Sequence, residues 1–224
     1  MRKDVFRLPE VIIDTHCHGR DMEESHKTTV EQVLKEAKKG NIGITIFMPN
    51  TNPPITNLNA LFRYIAIMHG NQNELKIKNN QLIYFGLTDG GLDDCADALK
   101  THSVVGLKVY PKYEINDRSC GVFSDMMLEP AMNLVRERNK VLAVHADDPG
   151  IIRIEGHTIR AEVSYVKKII GLAKQIPGIK IVICHVSCRE SAREILEAQK
   201  RGVGIAIELT LHHLWFDSTK NRRN

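Results

Sequence analysis

Short runs of apolar, mostly β-branched residues recur along this chain, and four of them end in a side chain of a metal-site type. The runs VIIDTHCH, VVGLK, VLAVH and IVICH end in His16 with His18, in Lys108, in His145 and in His185. Such a run is typical of a strand buried on both faces of a parallel sheet. The polar side chains therefore lie at the carboxyl ends of predicted strands, where barrels of parallel strands build their active sites.

Strand-like and helix-like segments alternate along the whole chain, which predicts an α/β fold. Seven predicted strands span Val11–Asp14, Ile42–Met48, Gln81–Leu87, Val104–Val109, Val141–His145, Ile179–Cys184 and Gly204–Leu209, with helices over 28–41, 58–68, 93–99, 122–138, 161–175 and 189–200. This series forms either an open doubly wound sheet or a (β/α)8 barrel. Because the candidate ligands converge from strands one, four, five and six, we predict a TIM-type (β/α)8 barrel, in one domain over residues 1–224.

A closed barrel needs an eighth strand, and this sequence does not contain one. The residues after the seventh run end in DSTKNRRN, which is polar and has no strand pattern. We therefore expect that the closing βα unit is missing, so that the sequence is a C-terminally incomplete barrel. An open edge would expose unpaired N–H and C=O groups. Further residues, or a partner chain such as a second copy in a homodimer, are expected to cover it.

Composition excludes several classes of protein. The net charge is +4, but lysines and arginines alternate with acids, as in REILEAQKR, which argues against nucleic acid as the main partner. No run approaches the ~18 apolar residues of a membrane span, and MRKDVFRLPE is too short and charged for a secretory signal. We expect a cytoplasmic protein that acts on a small molecule.

Five cysteines occur without C-x-x-C spacing and are expected to be free thiols in a reducing compartment. Cys17 and Cys184 adjoin candidate ligands. Strand side chains alternate between faces, so each is expected to point away from its histidine neighbour. We therefore expect no metal-binding role for the cysteines.

The histidines and Lys108 are stronger evidence together than separately. Alternation places His16 and His18 on one face, roughly 6.5–7 Å apart along the strand, where both can bind one ion. An H-x-H pair alone is weak, and a single buried histidine is usually a core residue bonded to backbone. Recurrence at His145 and His185 favours a metal site.

A series of motifs gives the chain a resemblance to the dihydroorotases of the amidohydrolase superfamily. The motifs are D-T-H-C-H-G-R at 14–20, M-P-N-T-N-P-P at 48–54, L-T-D at 87–89, G-L-K-V-Y-P at 106–111, V-H-A-D at 144–147, C-H-V-S at 184–187 and T-L-H-H-L-W-F at 210–216. Their order and spacing carry the resemblance, which runs from about Ile12 to Asp217.

The resemblance implies a site with two zinc ions. His16 and His18 match the ligands of the more buried ion, and His145 and His185 match those of the second. Lys108 matches the lysine that takes up CO₂ and bridges both ions as a carbamate. Imidazole and oxygen ligands suit Zn²⁺, and a desolvated lysine can react as the free amine.

The resemblance also implies a substrate and a reaction. Arg20 matches the arginine that binds the substrate carboxylate, with a planar fork suited to a bidentate pair, and Asn50 matches the amide that assists it. The implied activity is the reversible interconversion of N-carbamoyl-L-aspartate and L-dihydroorotate in de novo pyrimidine biosynthesis.

One departure from the family concerns the catalytic acid. The family's proton-shuttling Asp on strand eight has no match here, so the catalytic residue is unassigned. Asp217 follows the seventh strand too closely to replace it. Asp147 and Asp148 are expected to be loop or capping residues, and His212 and His213 to lie near the second metal.

Two alternatives stay open. One is a hydantoinase or dihydropyrimidinase, whose cyclic amide substrates need no ring carboxylate, and Arg20 with Asn50 argues against it. The other is a catalytically inactive amidohydrolase-like subunit that binds partners, which is consistent with the unmatched acid.

Overall fold

A computed structural model describes residues 11–111, 121–122 and 125–215 of the 224-residue chain. Seven strands form one sheet in the order of the sequence, and every neighbouring pair is parallel. A doubly wound sheet would reverse its strand order at a switch point, so the sequential order is that of a barrel. The strands are β1 Ile12–Cys17, β2 Ile42–Phe47, β3 Asn80–Gly86, β4 Val104–Val109, β5 Val141–His145, β6 Ile181–Cys184 and β7 Ile205–Ile207. The predicted α/β architecture of an incomplete (β/α)8 barrel is confirmed.

Helices fill the connections between the strands. They are α1 Val30–Lys39, α2 Leu58–Leu75, α3 Leu92–Ala98, α4 Leu128–Glu137, α5 Pro149–Glu155, α6 Ile159–Ala173, α7 Arg189–Lys200 and α8 Leu211–Trp215. Side chains cap several of them: Thr29 and Gln32 form a capping box on α1, and Asn57 accepts a hydrogen bond from the Ala60 N–H on α2. Within the described ranges, no helix combines the length and the apolar character of a membrane span.

Four helices differ from the sequence-based expectation, and one of them, α8 over Leu211–Trp215, lies where no helix was predicted. The polar segment GNQNEL, predicted as loop, continues α2 for two further turns, to a left-handed residue at Lys76. Helix α4 begins later than predicted, after a 3₁₀ turn over Asp125–Met127. Helix α5, which was not predicted, begins where the Asp148 carboxylate accepts hydrogen bonds from the Gly150 and Ile151 N–H groups. In α2, hydrogen bonds from the Asn71 and Gln72 side chains to backbone carbonyls and the packing of Leu75 against the core outweigh the polar composition, and in α5 the Asp148 cap stabilises the first turn.

The two faces of the sheet bury different sets of residues. The larger hydrophobic cluster contains strand residues such as Phe47 and Leu107 together with helix residues such as Leu34, so it lies between sheet and helices. The smaller cluster comprises Ile46, Met48, Tyr84, Ala143 and Cys184. Because side chains alternate along a strand, the residues that flank Phe47 point to the opposite, inner face. Lys108, between two residues of the larger cluster, also points inward.

Gly106 permits a close approach between β4 and β5. A Cβ atom at this position would overlap the carbonyl oxygen of Val141 on the neighbouring strand. We expect Gly106→Ala to destabilise the fold by about 2 kcal/mol or more, since a backbone strand must move. Thermal and denaturant unfolding measure the effect.

Gly171 is the matched control, because it lies in α6 and an added Cβ atom would meet nothing within 4 Å. Gly171→Ala is expected to stabilise the protein by about 0.5–1 kcal/mol through helix propensity. Equal effects of the two substitutions would contradict the close approach at Gly106.

Candidate metal centre

Four histidines from three strand ends gather at the carboxyl edge of the sheet. The ring centroids of His16 and His18 lie 5.1 Å apart, those of His16 and His185 5.6 Å, and those of His145 and His185 4.4 Å. The His145 Nδ1 and His185 Nε2 atoms are 3.0 Å apart. The structure therefore brings together all four histidines that the sequence singled out.

Lys108 reaches the same place from β4. Its side chain is fully buried, and its Nζ atom lies 2.8 Å from the Cys184 Sγ atom and 5.0 Å from the centre of the Tyr110 ring. A buried ammonium is costly in free energy unless an anion or an acceptor compensates it. The position of Lys108 therefore suits an amine that is either paired with a thiolate or chemically modified.

Cys184 points into this site, so the prediction that it faces away from the histidines is wrong. The prediction assumed that strand alternation continues through His185. Instead β6 ends at Cys184, and His185 has a φ of +40°, in the left-handed region that a non-glycine residue rarely adopts. The chain turns there, so that both neighbouring side chains reach the inner face. Cys17 does point away, into the larger cluster.

Glu208, which the sequence analysis did not single out, lies directly after β7 and joins the site. Its Oε1 atom is 2.7 Å from the Nδ1 atom of His16. One donor atom each from His16, Cys184 and Glu208 lies within 4.8 Å of the other two. A signal for Glu208 was present in the sequence, since the run GIAIE ends in a potential ligand as the other four runs do.

Burial controls the protonation of His18 and His185, whereas hydrogen bonds control that of His16. Burial, together with the nearby His16, lowers the pKa of His18 to about 3, and burial together with His145 lowers that of His185 to about 2. Burial also favours the neutral ring of His16, but hydrogen bonds to Cys184 and Glu208 outweigh it and raise the pKa of His16. His18 and His185 are thus neutral near pH 7, as a metal-binding imidazole must be.

For the Cys184 thiol, as for His16, neighbouring groups outweigh the effect of burial on the pKa. Burial by itself would raise the pKa of Cys184, but the Lys108 ammonium and a hydrogen bond with His16 bring it below its usual value. A thiol that deprotonates more readily is a better metal ligand.

A buried carboxylate holds the loop that follows His185. Glu162, on α6, accepts hydrogen bonds from the Ser187 N–H at 3.0 Å and from the Ser187 hydroxyl at 2.5 Å. The Cys188 Sγ atom is 3.2 Å from the same carboxylate. These contacts fix the backbone just beyond the strained residue.

Arg20 and Asn50 meet at the rim of the site. The Arg20 Nη1 atom donates to the Asn50 carbonyl oxygen at 2.8 Å and to the Glu24 Oε2 atom at 2.9 Å. The Asn50 side chain lies beside the His18 ring, where a hydrogen bond between them acts to raise the pKa of His18, and its buried Oδ1 atom has no other partner among the described residues. Such an atom is expected to find a donor in a bound ligand or water.

The remaining acidic and histidine candidates are less central. The Asp147 Oδ2 atom lies 3.7 Å from the His145 Nε2 atom and 3.1 Å from the His157 Nδ1 atom. Asp148 caps α5 and accepts a hydrogen bond from Ser164, as expected of a capping residue. His213 is exposed on α8, with its backbone N–H bonded to Thr210. Asp217 and the side chain of His212 lie outside the described residues.

The donors of this site fit a metal ion. Imidazole nitrogens, a carboxylate and a thiol are the ligand types that zinc uses in proteins. Burial keeps two of the rings neutral, and Lys108 lies within the same buried cluster. The structure thus brings the five residues predicted as ligands close to two further side chains of ligand type, Cys184 and Glu208.

Comparison with known proteins identifies the family of this chain. The model of the amidohydrolase family matches residues 12–224. Dihydroorotase of Saccharomyces cerevisiae is 26% identical over 213 residues, which is 90% of this chain and 56% of the relative. Dihydroorotase of Pyrococcus abyssi is 30% identical over 205 residues, or 91% of this chain and 45% of the relative. The chain thus spans about half the length of the curated relatives it matches.

Solved structures share the architecture. Dihydroorotase from Saccharomyces cerevisiae in complex with 5-fluoroorotic acid aligns with a TM-score of 0.79 and 25% identity, over 96% of this chain and 59% of that chain. L-hydantoinase (dihydropyrimidinase) from Arthrobacter aurescens aligns with a TM-score of 0.77 and 21% identity, over 88% of this chain and 46% of that chain, which shows the shared fold alone. The chain belongs to the amidohydrolase family.

Proposed function

We propose that this chain carries the metal-binding part of a dihydroorotase, which interconverts N-carbamoyl-L-aspartate and L-dihydroorotate in pyrimidine biosynthesis. The observation that carries the proposal is the meeting of four imidazoles with a fully buried lysine, next to an arginine held at the rim. The curated dihydroorotase relatives support the choice of reaction.

The five predicted ligands would hold two zinc ions: His16, His18, His145, His185, and Lys108 as its carbamate. Such a pair supplies a hydroxide near neutral pH and polarises the carbonyl that the hydroxide attacks. Conversion of Lys108 to a carbamate replaces a buried positive charge with an oxygen donor. It also removes the cation that favours the thiolate form of Cys184, whose Sγ atom is 2.8 Å from Nζ.

Glu208 is proposed to set the tautomer of His16. A carboxylate oxygen 2.7 Å from Nδ1 favours the proton on that nitrogen, which leaves the Nε2 lone pair for a metal. Glu162 acts in a similar way on the backbone, since it holds the segment after His185. Both carboxylates reduce the freedom of the rings before any ion binds.

Arg20 is proposed to recognise the ring carboxylate, assisted by the side-chain amide of Asn50. A charge-assisted, bidentate contact of this kind adds both affinity and orientation. A hydantoinase has no carboxylate to bind at this position, so the placement of Arg20 favours the dihydroorotase proposal.

Metal analysis combined with a turnover assay tests the proposal. We expect about two zinc ions per chain, loss of activity on removal of metal with a chelator, and recovery on addition of zinc. The hydrolysis of dihydroorotate is monitored through the loss of ring absorbance, and the hydrolysis of hydantoin and of dihydrouracil is measured in parallel. Metal binding with turnover of only the uncharged rings would assign a hydantoinase-type activity, and a chain without metal or turnover would contradict an enzymatic role.

A further inference from the structure

The hydrogen bonds of Arg20 use one particular part of its guanidinium group. Among the described residues its side chain makes two hydrogen bonds, to the Asn50 carbonyl oxygen and to the Glu24 carboxylate, and both come from Nη1. Nη1 carries two hydrogens, so these contacts use both of them. The Nε and Nη2 atoms form the other edge of the planar group. That edge is the one left to meet a carboxylate in a bidentate pair.

The Glu24 carboxylate is held firmly in place. Glu24 lies on a 3₁₀ turn, Met22–Glu24, in a loop closed by a 2.5 Å hydrogen bond from the Arg20 N–H to the Thr28 carbonyl oxygen. Its Oε1 atom lies 2.5 Å from the Lys27 Nζ atom, whereas Oε2 is 2.9 Å from Arg20. The side chain is only 16% exposed.

Arg20, Glu24 and Lys27 together carry a net positive charge, which favours the binding of an anion. Arg20 and Lys27 are cations and Glu24 is the single anion between them, so the trio carries a net charge of +1. Lys27 thus offsets the negative charge that Glu24 brings to the rim. A substrate carboxylate at the free edge of Arg20 would still meet a positive field.

We propose that Glu24 is the positioning residue for carboxylate recognition, an inference that rests on the proposed function. Glu24 and the Asn50 carbonyl fix Nη1, so that the Nε and Nη2 edge faces the substrate. Glu24 would thus determine specificity for a cyclic amide that carries a carboxylate over the same ring without one.

Binding measurements separate this role from a structural one. The metal-loaded protein and its Glu24→Gln variant are titrated with L-dihydroorotate and with 5,6-dihydrouracil, the same ring without the carboxylate, in a calorimeter. We expect Glu24→Gln to weaken dihydroorotate binding about tenfold, as for the loss of one charge-assisted hydrogen bond, and to leave dihydrouracil binding and zinc content unchanged. Glu23→Gln is the matched control, since Glu23 is the exposed acid on the same turn.

Each outcome decides the inference. A preference for dihydroorotate that survives Glu24→Gln would overturn it. Tighter binding of dihydroorotate by the variant would also overturn it, because Glu24 would then be a competitor of the substrate. Equal loss of affinity for both rings would show a structural role instead. A wild-type protein without any preference for dihydroorotate would overturn the proposed function, and this inference with it.

Discussion

Replacing Lys108 with alanine is expected to abolish cyclic amide hydrolysis, with a loss on the order of a thousandfold or more, or ~4 kcal/mol of transition-state stabilisation. The side chain is fully buried, its Nζ atom lies 2.8 Å from the Cys184 Sγ atom, and its carbamate is proposed to hold both ions. Without the bridge, both ions lose a ligand at once. Zinc content by mass spectrometry and turnover of dihydroorotate measure the effect.

A rescue experiment identifies the chemical role of Lys108. A short carboxylate such as acetate or propionate should restore part of the zinc content and activity of Lys108→Ala, because it can occupy the space of the missing side chain and bridge the ions. Lys180→Met is the control, since the Lys180 amine is exposed and bonds to Asn139. Full activity and two zinc ions in Lys108→Ala would show that Lys108 is no ligand.

The sheet was largely predictable, because every strand overlaps one of the short, mostly apolar runs of the sequence. The alternation of strands and helices predicted parallel strands, the convergence of the candidate ligands favoured the sequential order of a barrel, and the structure confirms both. Helices were less predictable where their stability comes from capping and from packing on the sheet. Helix α2 continues through the polar GNQNEL, and α5 depends on the Asp148 cap. Composition alone does not reveal either effect.

The candidate ligands that were predicted correctly are those that stand at the end of an apolar run. His16, His145 and His185 meet because parallel strands end at one edge of the sheet. Cys184 was misplaced because a left-handed residue at a strand end interrupts the alternation on which the prediction relied. Glu208 was missed although its run has the same form, because a carboxylate after a strand is common on surfaces and its contact with His16 spans 192 residues of chain.

The hydrogen bonds around Arg20 were beyond sequence reasoning. The resemblance indicated Arg20 and Asn50, but the sequence does not show that the Asn50 main-chain oxygen, and not its side chain, accepts the bond. Nor does it show that Glu24 lies on the other side of the same Nη1 atom. Both contacts depend on how two loops pack, and loop packing leaves little pattern in the order of residues.

Replacing Arg20 with methionine is expected to lower kcat/KM for dihydroorotate by about a hundredfold or more, since a bidentate, charge-assisted pair to the substrate carboxylate is lost. Methionine keeps much of the apolar stem, so the loop that Arg20 closes through its backbone N–H should be retained. Hydrolysis of dihydrouracil, if present in the wild type, should be unchanged within a factor of about two or three, because that ring has no carboxylate. Steady-state kinetics with both substrates measure the split.

Arg63→Met is the matched control for Arg20→Met, because Arg63 is exposed on α2 and the same chemical change there leaves the rim intact. Zinc content should be equal in both variants and in the wild type, since Arg20 donates no metal ligand. A parallel loss for both rings would assign Arg20 to the folding of the rim. An unchanged kcat/KM for dihydroorotate would leave the carboxylate without its proposed partner, and the proposed preference for dihydroorotate over hydantoin-like rings would then lose its structural basis.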